Sequence, residues 1–429
     1  MRVSPRLVLL GVWFSLLAAC LPGGKSMPQE QPLPSAHPTA TATAEAARGI
    51  WALWASGRTM LRGANIYQRR VIPDLDGADF MGPGPLGPPY TQADFDALAA
   101  QGANWVNLSV PGLFTVQPPY RLDEAVVARV DALIEMAARA GLYVVLSART
   151  GPGRSEFSIL RNGAGDWFPP SYLVESVWQD AQARQAWAAM WRYTAARYRD
   201  NPAVIGYDLM VEPNANDIVD KWDPEAFYAR YGGTGYDWNA WYPDLVAAIR
   251  EVDPNTPILV GGMGYSAVDW LSYLRPVDAP RVVYTAHQYM PFVYTHQSPQ
   301  EHIVYPDVFD ADFNGRPETV SRAWLACYLQ TLADFRQRVG APVAVNELGL
   351  VRWAPNAAQF MDDQLSILED LGVNYAVWAW HASWPPFGEV DHAFTFRFGP
   401  NPANRQDVPN ALWDTYRRFW QRNEVFFSP

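Results

Sequence analysis

The sequence predicts an α/β chain folded as a single (β/α)8 TIM barrel, and two observations carry that expectation. One local pattern recurs: a helix-like segment ends in glycine and a short apolar run follows. It appears at Gly102 before 104–110, Gly141 before 143–147, Gly340 before 343–346 and Gly372 before 375–380. Glycine past a helix end takes the left-handed cap, and a continuous apolar run is how a strand covered on both faces reads. The second observation is alternation along the whole chain. Eight strand candidates, 61–67, 104–110, 143–148, 204–212, 258–262, 282–288, 343–347 and 375–380, are separated by helical segments. Stripes at helical spacing run through Val126, Val130, Leu133 and Ala137 and through Trp187, Met190, Trp191 and Tyr198. Eight strand-helix alternations imply a closed parallel sheet. The rival, an open doubly wound sheet, lacks a glycine-rich dinucleotide loop after its first strand. The run 50–54 is an extra N-terminal element.

Composition bounds the function. Lys and Arg total 33 against 44 Asp and Glu, a net charge of −11, so no basic stripe is available for nucleic acid. Ahead of the barrel, Arg2 and Arg6 precede an apolar stretch, 7–19, shorter than the ~20 residues that span a bilayer. Residues 1–20 read as an export signal, and Leu17-Ala18-Ala19-Cys20 resembles a bacterial lipobox, so Cys20 is the expected lipidation site and the bacterial membrane an expected partner. Ordinary cleavage beside the same small residues is the alternative. Residues 21–48, spaced by Pro22, Pro28, Pro32, Pro34 and Pro38, read as an extended tether, and 49–429 as the catalytic domain. With Cys20 and Cys327 the only cysteines, no disulfide framework is expected, and Cys327 reads as a buried small hydrophobe. The chain is expected to act as a monomer.

Helix-to-strand turns are short, whereas 68–90, 150–178, 213–237, 289–317 and 381–409 are long and all follow strands. Long irregular loops are usually functional, and a barrel's active site lies at the C-terminal ends of its strands. Those ends carry Arg62 and Asn65 on the first strand, Arg149 past the third, Glu212 ending the fourth, His287 and Tyr289 at the sixth, Asn346-Glu347 at the seventh and Trp378-Ala379-Trp380 at the eighth. Either glutamate alone could cap a helix or pair with an arginine. Two carboxylates closing two apolar strands at one end of one barrel need a stronger reason, because an unpaired charge is costly to bury. Facing carboxyls of unequal proton affinity can cleave a glycosidic bond, one as proton donor and one as nucleophile.

Glu-Pro, His-x-Tyr, Asn-Glu and Trp-x-Trp in this order at these strand ends resemble glycoside hydrolase family 5, the cellulase family of clan A retaining barrels. The resemblance, from about Gly49 to the C-terminus, implies Glu212 as acid/base and Glu347 as nucleophile. It implies Arg62 and Tyr289 as hydrogen-bond partners of the nucleophile, His287 as a ligand near the acid/base, and Trp380, beside Trp378, as the platform under the sugar. It also implies double displacement on a carbohydrate substrate with no metal or other cofactor. Two positions depart from the family. Its usual Asn before the acid/base is Val211, and its usual His after strand three gives way to Ala148-Arg149. Asn214 or Arg149 is the candidate replacement for the lost contact to the sugar 2-hydroxyl.

Among the loop aromatics Trp167, Phe168, Trp222, Tyr236, Trp238, Trp353 and Trp384, two or three are expected to touch sugar, while Trp187 and Trp191 read as core. His296, His302, His381 and His392 fit no metal-ligand spacing and read as surface or loop-tethering residues. The leading expectation is an exported β-glycosidase of the endo-β-1,4-glucanase or mannanase type. A sugar-binding lipoprotein without turnover and a metal-dependent barrel hydrolase are the alternatives.

Overall fold

The computed structural model describes residues 49–389 and 392–428; the export signal, Cys20 and the tether lie outside them. Eight parallel strands close a barrel: β1 (Arg62–Tyr67), β2 (Trp105–Pro111), β3 (Tyr143–Thr150), β4 (Val204–Asp208), β5 (Ile258–Gly261), β6 (Val282–Gln288), β7 (Val343–Leu348) and β8 (Asn374–Val377), with β8 pairing back onto β1. The shell consists of α1 (Gln92–Ala100), α2 (Glu124–Arg139), α3 (Ala181–Tyr198), α4 (Trp238–Arg250), α5 (Arg322–Val339), α6 (Ala357–Asp370) and α7 (Ala411–Trp420). Asp123 and Asp180 start α2 and α3 by accepting from the backbone N–H of Val126 and Gln182. Gly102, Gly141, Gly340 and Gly372 all have positive φ, as the recurring helix-stop pattern requires.

Three elements differ from expectation. Between β5 and β6 the shell helix is replaced by a 3-10 segment, Val268–Tyr273, because the chain first turns back through Tyr265 and Ser266 at φ 61° and 59°. Strand four stops at Asp208, four residues short of Glu212, and strand eight stops at Val377. Cys327 is only half-buried, at the edge of the α5 stripe formed by Leu325, Tyr328, Leu329 and Leu332.

The barrel interior is layered. At the N-terminal end, Leu53 and Trp54 from a short helix, Ala52–Ala55, plug an apolar floor of Leu61, Trp105, Val145, Ile205, Leu259, Val283, Ala344 and Ala376. Trp54 Nε1 donates to the Ile205 carbonyl at 3.0 Å. Gly63 is required here, since a β-carbon on it would meet the Trp105 carbonyl at 1.9 Å. Two residues further along the strands, the side chains become Asn65, Asn107, Ser147 and Asn346, and beyond them lies the cleft. No helix among the described residues is long and apolar enough to cross a membrane.

Candidate active site

The cleft is organised by His287 at the end of β6. Its Nδ1 lies 2.9 Å from Glu212 Oε1 and 3.6 Å from Glu347 Oε2. One ligand atom from each of Glu212, His287 and Glu347 falls within 4.8 Å of the others, the one such group of His and carboxylates among the described residues close enough to bridge a cation. The Tyr289 hydroxyl donates to Glu347 Oε1 at 2.7 Å. Glu212, His287, Tyr289 and Glu347, separated in sequence, therefore meet as expected.

Glu212 reaches the cleft from a turn rather than a strand. It adopts φ 56°, a left-handed conformation uncommon outside glycine. Arg154 holds that turn: fully buried, it donates to the carbonyls of Arg149 at 2.8 Å, Val211 at 2.9 Å and Glu212 at 2.8 Å. Burial pulls Arg154 down to about 10, against the opposing field of Glu212. Nothing in the sequence pattern singled out Arg154; an arginine in a glycine-rich turn reads as surface.

The groups titrate as a unit. Burial first, then the charge of Glu212, pushes Glu347 up to about 7, while His287, Tyr289 and Arg149 pull the other way. Burial would depress His287, but the charge of Glu347 and the hydrogen bond and charge of Glu212 raise it to about 9, which favours the imidazolium between two carboxyls. Burial and Glu347 hold the Tyr289 hydroxyl well above its ordinary range, which keeps it a donor.

Arg149 supplies the cation of the cleft wall. It is 6% exposed, donates Nη1 to Ser109 Oγ at 3.2 Å, and lies 4.7 Å from the Tyr67 ring centre and 5.6 Å from that of Trp378. Tyr67 was missed by sequence reasoning although strand alternation from Asn65 points it into the cleft.

Three expected site residues lie elsewhere. Arg62 is the first residue of β1, hence at the opposite end of the barrel, where it pairs with Glu369 at 2.6 Å and donates to Asn423. It cannot reach Glu347. Trp380 is 1% exposed, donates Nε1 to the Asp94 carbonyl at 2.9 Å and lies under Arg397. Because β8 ends at Val377, the two-residue alternation does not carry Trp380 inward, and the half-exposed Trp378 faces the cleft instead. Asn214 is fully buried and gives its amide to the Ser158 carbonyl at 2.7 Å and Tyr265 at 3.3 Å, so it does not face a sugar.

Val211 is 2% exposed, and no polar group occupies that position. Of the loop aromatics, Phe168 and Trp238 are core, whereas Trp167 is 44% exposed and Trp222 stacks on Tyr265 at an interplanar angle of 6°. Trp187 and Trp191 are core as expected. His302 is exposed, while His296 stacks on Phe292 and His381 bonds Thr395 within the loops.

Known proteins resemble this chain in sequence and in fold. The family model for cellulase, glycosyl hydrolase family 5, matches residues 74–383. Endoglucanase C of Acetivibrio thermocellus is 22% identical over 314 residues, covering 67% of this chain and 83% of that protein. Cellodextrinase A of Ruminococcus flavefaciens is 22% identical over 224 residues, covering 52% and 57%. Among solved structures, Thermotoga maritima Cel5A with cellobiose superposes with a TM-score of 0.57 at 19% identity, covering 83% of this chain and 97% of that one. The same enzyme with mannotriose gives 0.53 at 20% identity, covering 76% and 91%. With the family model spanning well over half of the sequence, the chain belongs to glycosyl hydrolase family 5 and is a glycoside hydrolase.

Proposed function

We propose that the protein is an exported, membrane-tethered, retaining endo-β-1,4-glucanase, with β-mannan as the second substrate to test. The observation that carries the mechanism is the convergence of one Glu212 and one Glu347 oxygen within 4.8 Å. Retaining glycosidases hold their carboxyl groups about 5–5.5 Å apart, whereas inverting ones leave room for a water between them. Glu347 attacks the anomeric carbon as the glycosidic C–O bond breaks, and Glu212 gives its proton to the departing oxygen. Water then loses a proton to Glu212 and its oxygen displaces Glu347. Tyr289 fixes the attacking carboxylate, His287 couples the two carboxyls, and Trp378 supports the ring face. Arg149, a buried cation on the cleft wall, stands in for the polar group missing at Val211. Endoglucanase relatives and the cellobiose complex of a structural neighbour favour β-glucan; the mannotriose complex keeps mannan open.

Release of reducing sugar from β-glucans and β-mannans, lost in Glu347→Ala and indifferent to chelator, supports this reading. Tight sugar binding without turnover would favour a binding lipoprotein disabled at Val211, and loss of activity with chelator a metal enzyme. For the tether, Cys20→Ala is expected to release the protein from the membrane fraction; unchanged partition refutes lipidation.

A further inference from the structure

Beneath the two glutamates, five strands contribute polar side chains whose hydrogen bonds can be directed one after another. The Asn65 amide nitrogen faces the carbonyls of Asn346 at 3.0 Å, Ala376 at 3.3 Å and Val377 at 3.4 Å. Its Oδ1 is therefore the acceptor for Asn107 Nδ2, 2.8 Å away. That leaves Asn107 Oδ1 facing Ser147 Oγ at 2.7 Å. An amide oxygen only accepts, so the single serine proton is committed to it. Ser147 Oγ nevertheless also lies 2.9 Å from Asp208 Oδ2. Two oxygens at that distance need a hydrogen between them, and Asp208 is the group left to supply it. Asn346 Nδ2 donates to the same Asp208 oxygen at 2.9 Å.

The chain of bonds begins and ends on Asn346, whose carbonyl accepts from Asn65 and whose amide donates to Asp208. The β6–β7 ladder skips this residue: Val345 pairs with Ala286, and the next pair is Glu347 with His287. Such a bulge re-aims side chains. Here it turns Asn346 into the ring and its neighbour Glu347 toward the cleft.

We propose that Asp208 is a neutral carboxylic acid that donates to Ser147, and that it is the positioning residue that fixes Asn346 and, through the bulge, Glu347. The side chain is 2% exposed. Burial pushes it up to about 6, with His287, Ser147 and Asn346 opposing and Glu212 reinforcing. Once Ser147 turns its proton to Asn107, the Ser147 contact favours the protonated acid instead, which extends neutrality to higher pH. An ionised Asp208 would add a third negative charge below Glu212 and Glu347.

The positioning role rests on the proposed double displacement; the protonation state does not, and two measurements separate them. Infrared difference spectra at neutral pH should show a protonated-carboxyl stretch in wild type that Asp208→Asn lacks. The amide nitrogen of Asp208→Asn can donate one hydrogen to Ser147 and the other to Asn346 Oδ1 once the Asn346 side-chain amide turns over, so Asp208→Asn should keep kcat within about threefold with an unmoved pH profile, whereas Asp208→Ala should lose about 10- to 100-fold in kcat with KM little changed. Identical spectra, or Asp208→Asn losing as much as Asp208→Ala, would overturn the proposal. Should Asp208→Ala fail to fold, a displaced pH profile in Asp208→Asn decides against it and an unmoved one for it. Absence of glucanase activity in wild type would sink the proposed function and leave the spectral test standing.

Discussion

The two ends of the barrel are made from the same eight strands yet spend their polar residues differently. At the N-terminal end, charge is paired off: Arg62 is matched to Glu369 at 2.6 Å, and tryptophans fill the space between strands. At the C-terminal end the carboxyls of Glu212 and Glu347 face each other across His287, and the Arg149 cation rests on rings rather than on a carboxylate. The difference follows from one rule of geometry. A strand shows alternate residues to the interior, so moving two residues along β2, β3 and β7 exchanges the apolar floor of Trp105, Val145 and Ala344 for the amide and hydroxyl layer of Asn107, Ser147 and Asn346, and the reactive groups lie beyond that layer. The floor serves stability and the mouth serves chemistry.

Substitutions at the two ends should therefore separate cleanly. Largest is Glu347→Ala, expected to cut kcat by about 10⁴-fold or more while the melting temperature holds or rises, since a buried carboxylate is removed. Tyr289→Phe comes next, at about 10²-fold in kcat, because it removes one donor to a buried carboxylate. Because Tyr289 pulls Glu347 down, its loss should also move the acid limb of the pH profile to higher pH. In wild type that limb should lie at about 7 and a basic limb at about 9, both belonging to the coupled group of Glu212, His287 and Glu347, which gains a proton on the acid side and loses one on the basic side. At the opposite end, Arg62→Ala breaks a buried pair and should cost about 3–5 kcal/mol of stability while kcat below the melting transition stays put. A fall in kcat there, measured on folded protein, would break the separation. Smallest, Val211→Asn should raise kcat on β-glucans by restoring a 2-hydroxyl contact; unchanged kinetics would assign that contact to Arg149.

Much of this was legible in the sequence. Glycine stops and apolar runs fix eight strands because caps and two-sided burial are local demands. Glu212, His287, Tyr289 and Glu347 stood out as polar residues closing apolar runs. Arg62 misled because it was placed on a strand without regard to which end; as the residue that opens β1, it lies at the N-terminal end of the barrel and pairs with the helix shell. Trp380 misled because the end of β8 was set three residues late. Asn107, Ser147 and Asp208 interrupt apolar strands and are visible as such, but which of them touch depends on register. In the barrel Ser147 lies opposite Asp208, and Asn65 opposite Asn107. Arg154 is legible only once the turn it holds is known.

The most direct test is the configuration of the first sugar released from a β-1,4-linked oligosaccharide, followed by proton NMR before mutarotation. The close approach of Glu212 and Glu347 predicts the β-anomer first. Initial accumulation of the α-anomer would mean that water, not Glu347, attacks the anomeric carbon.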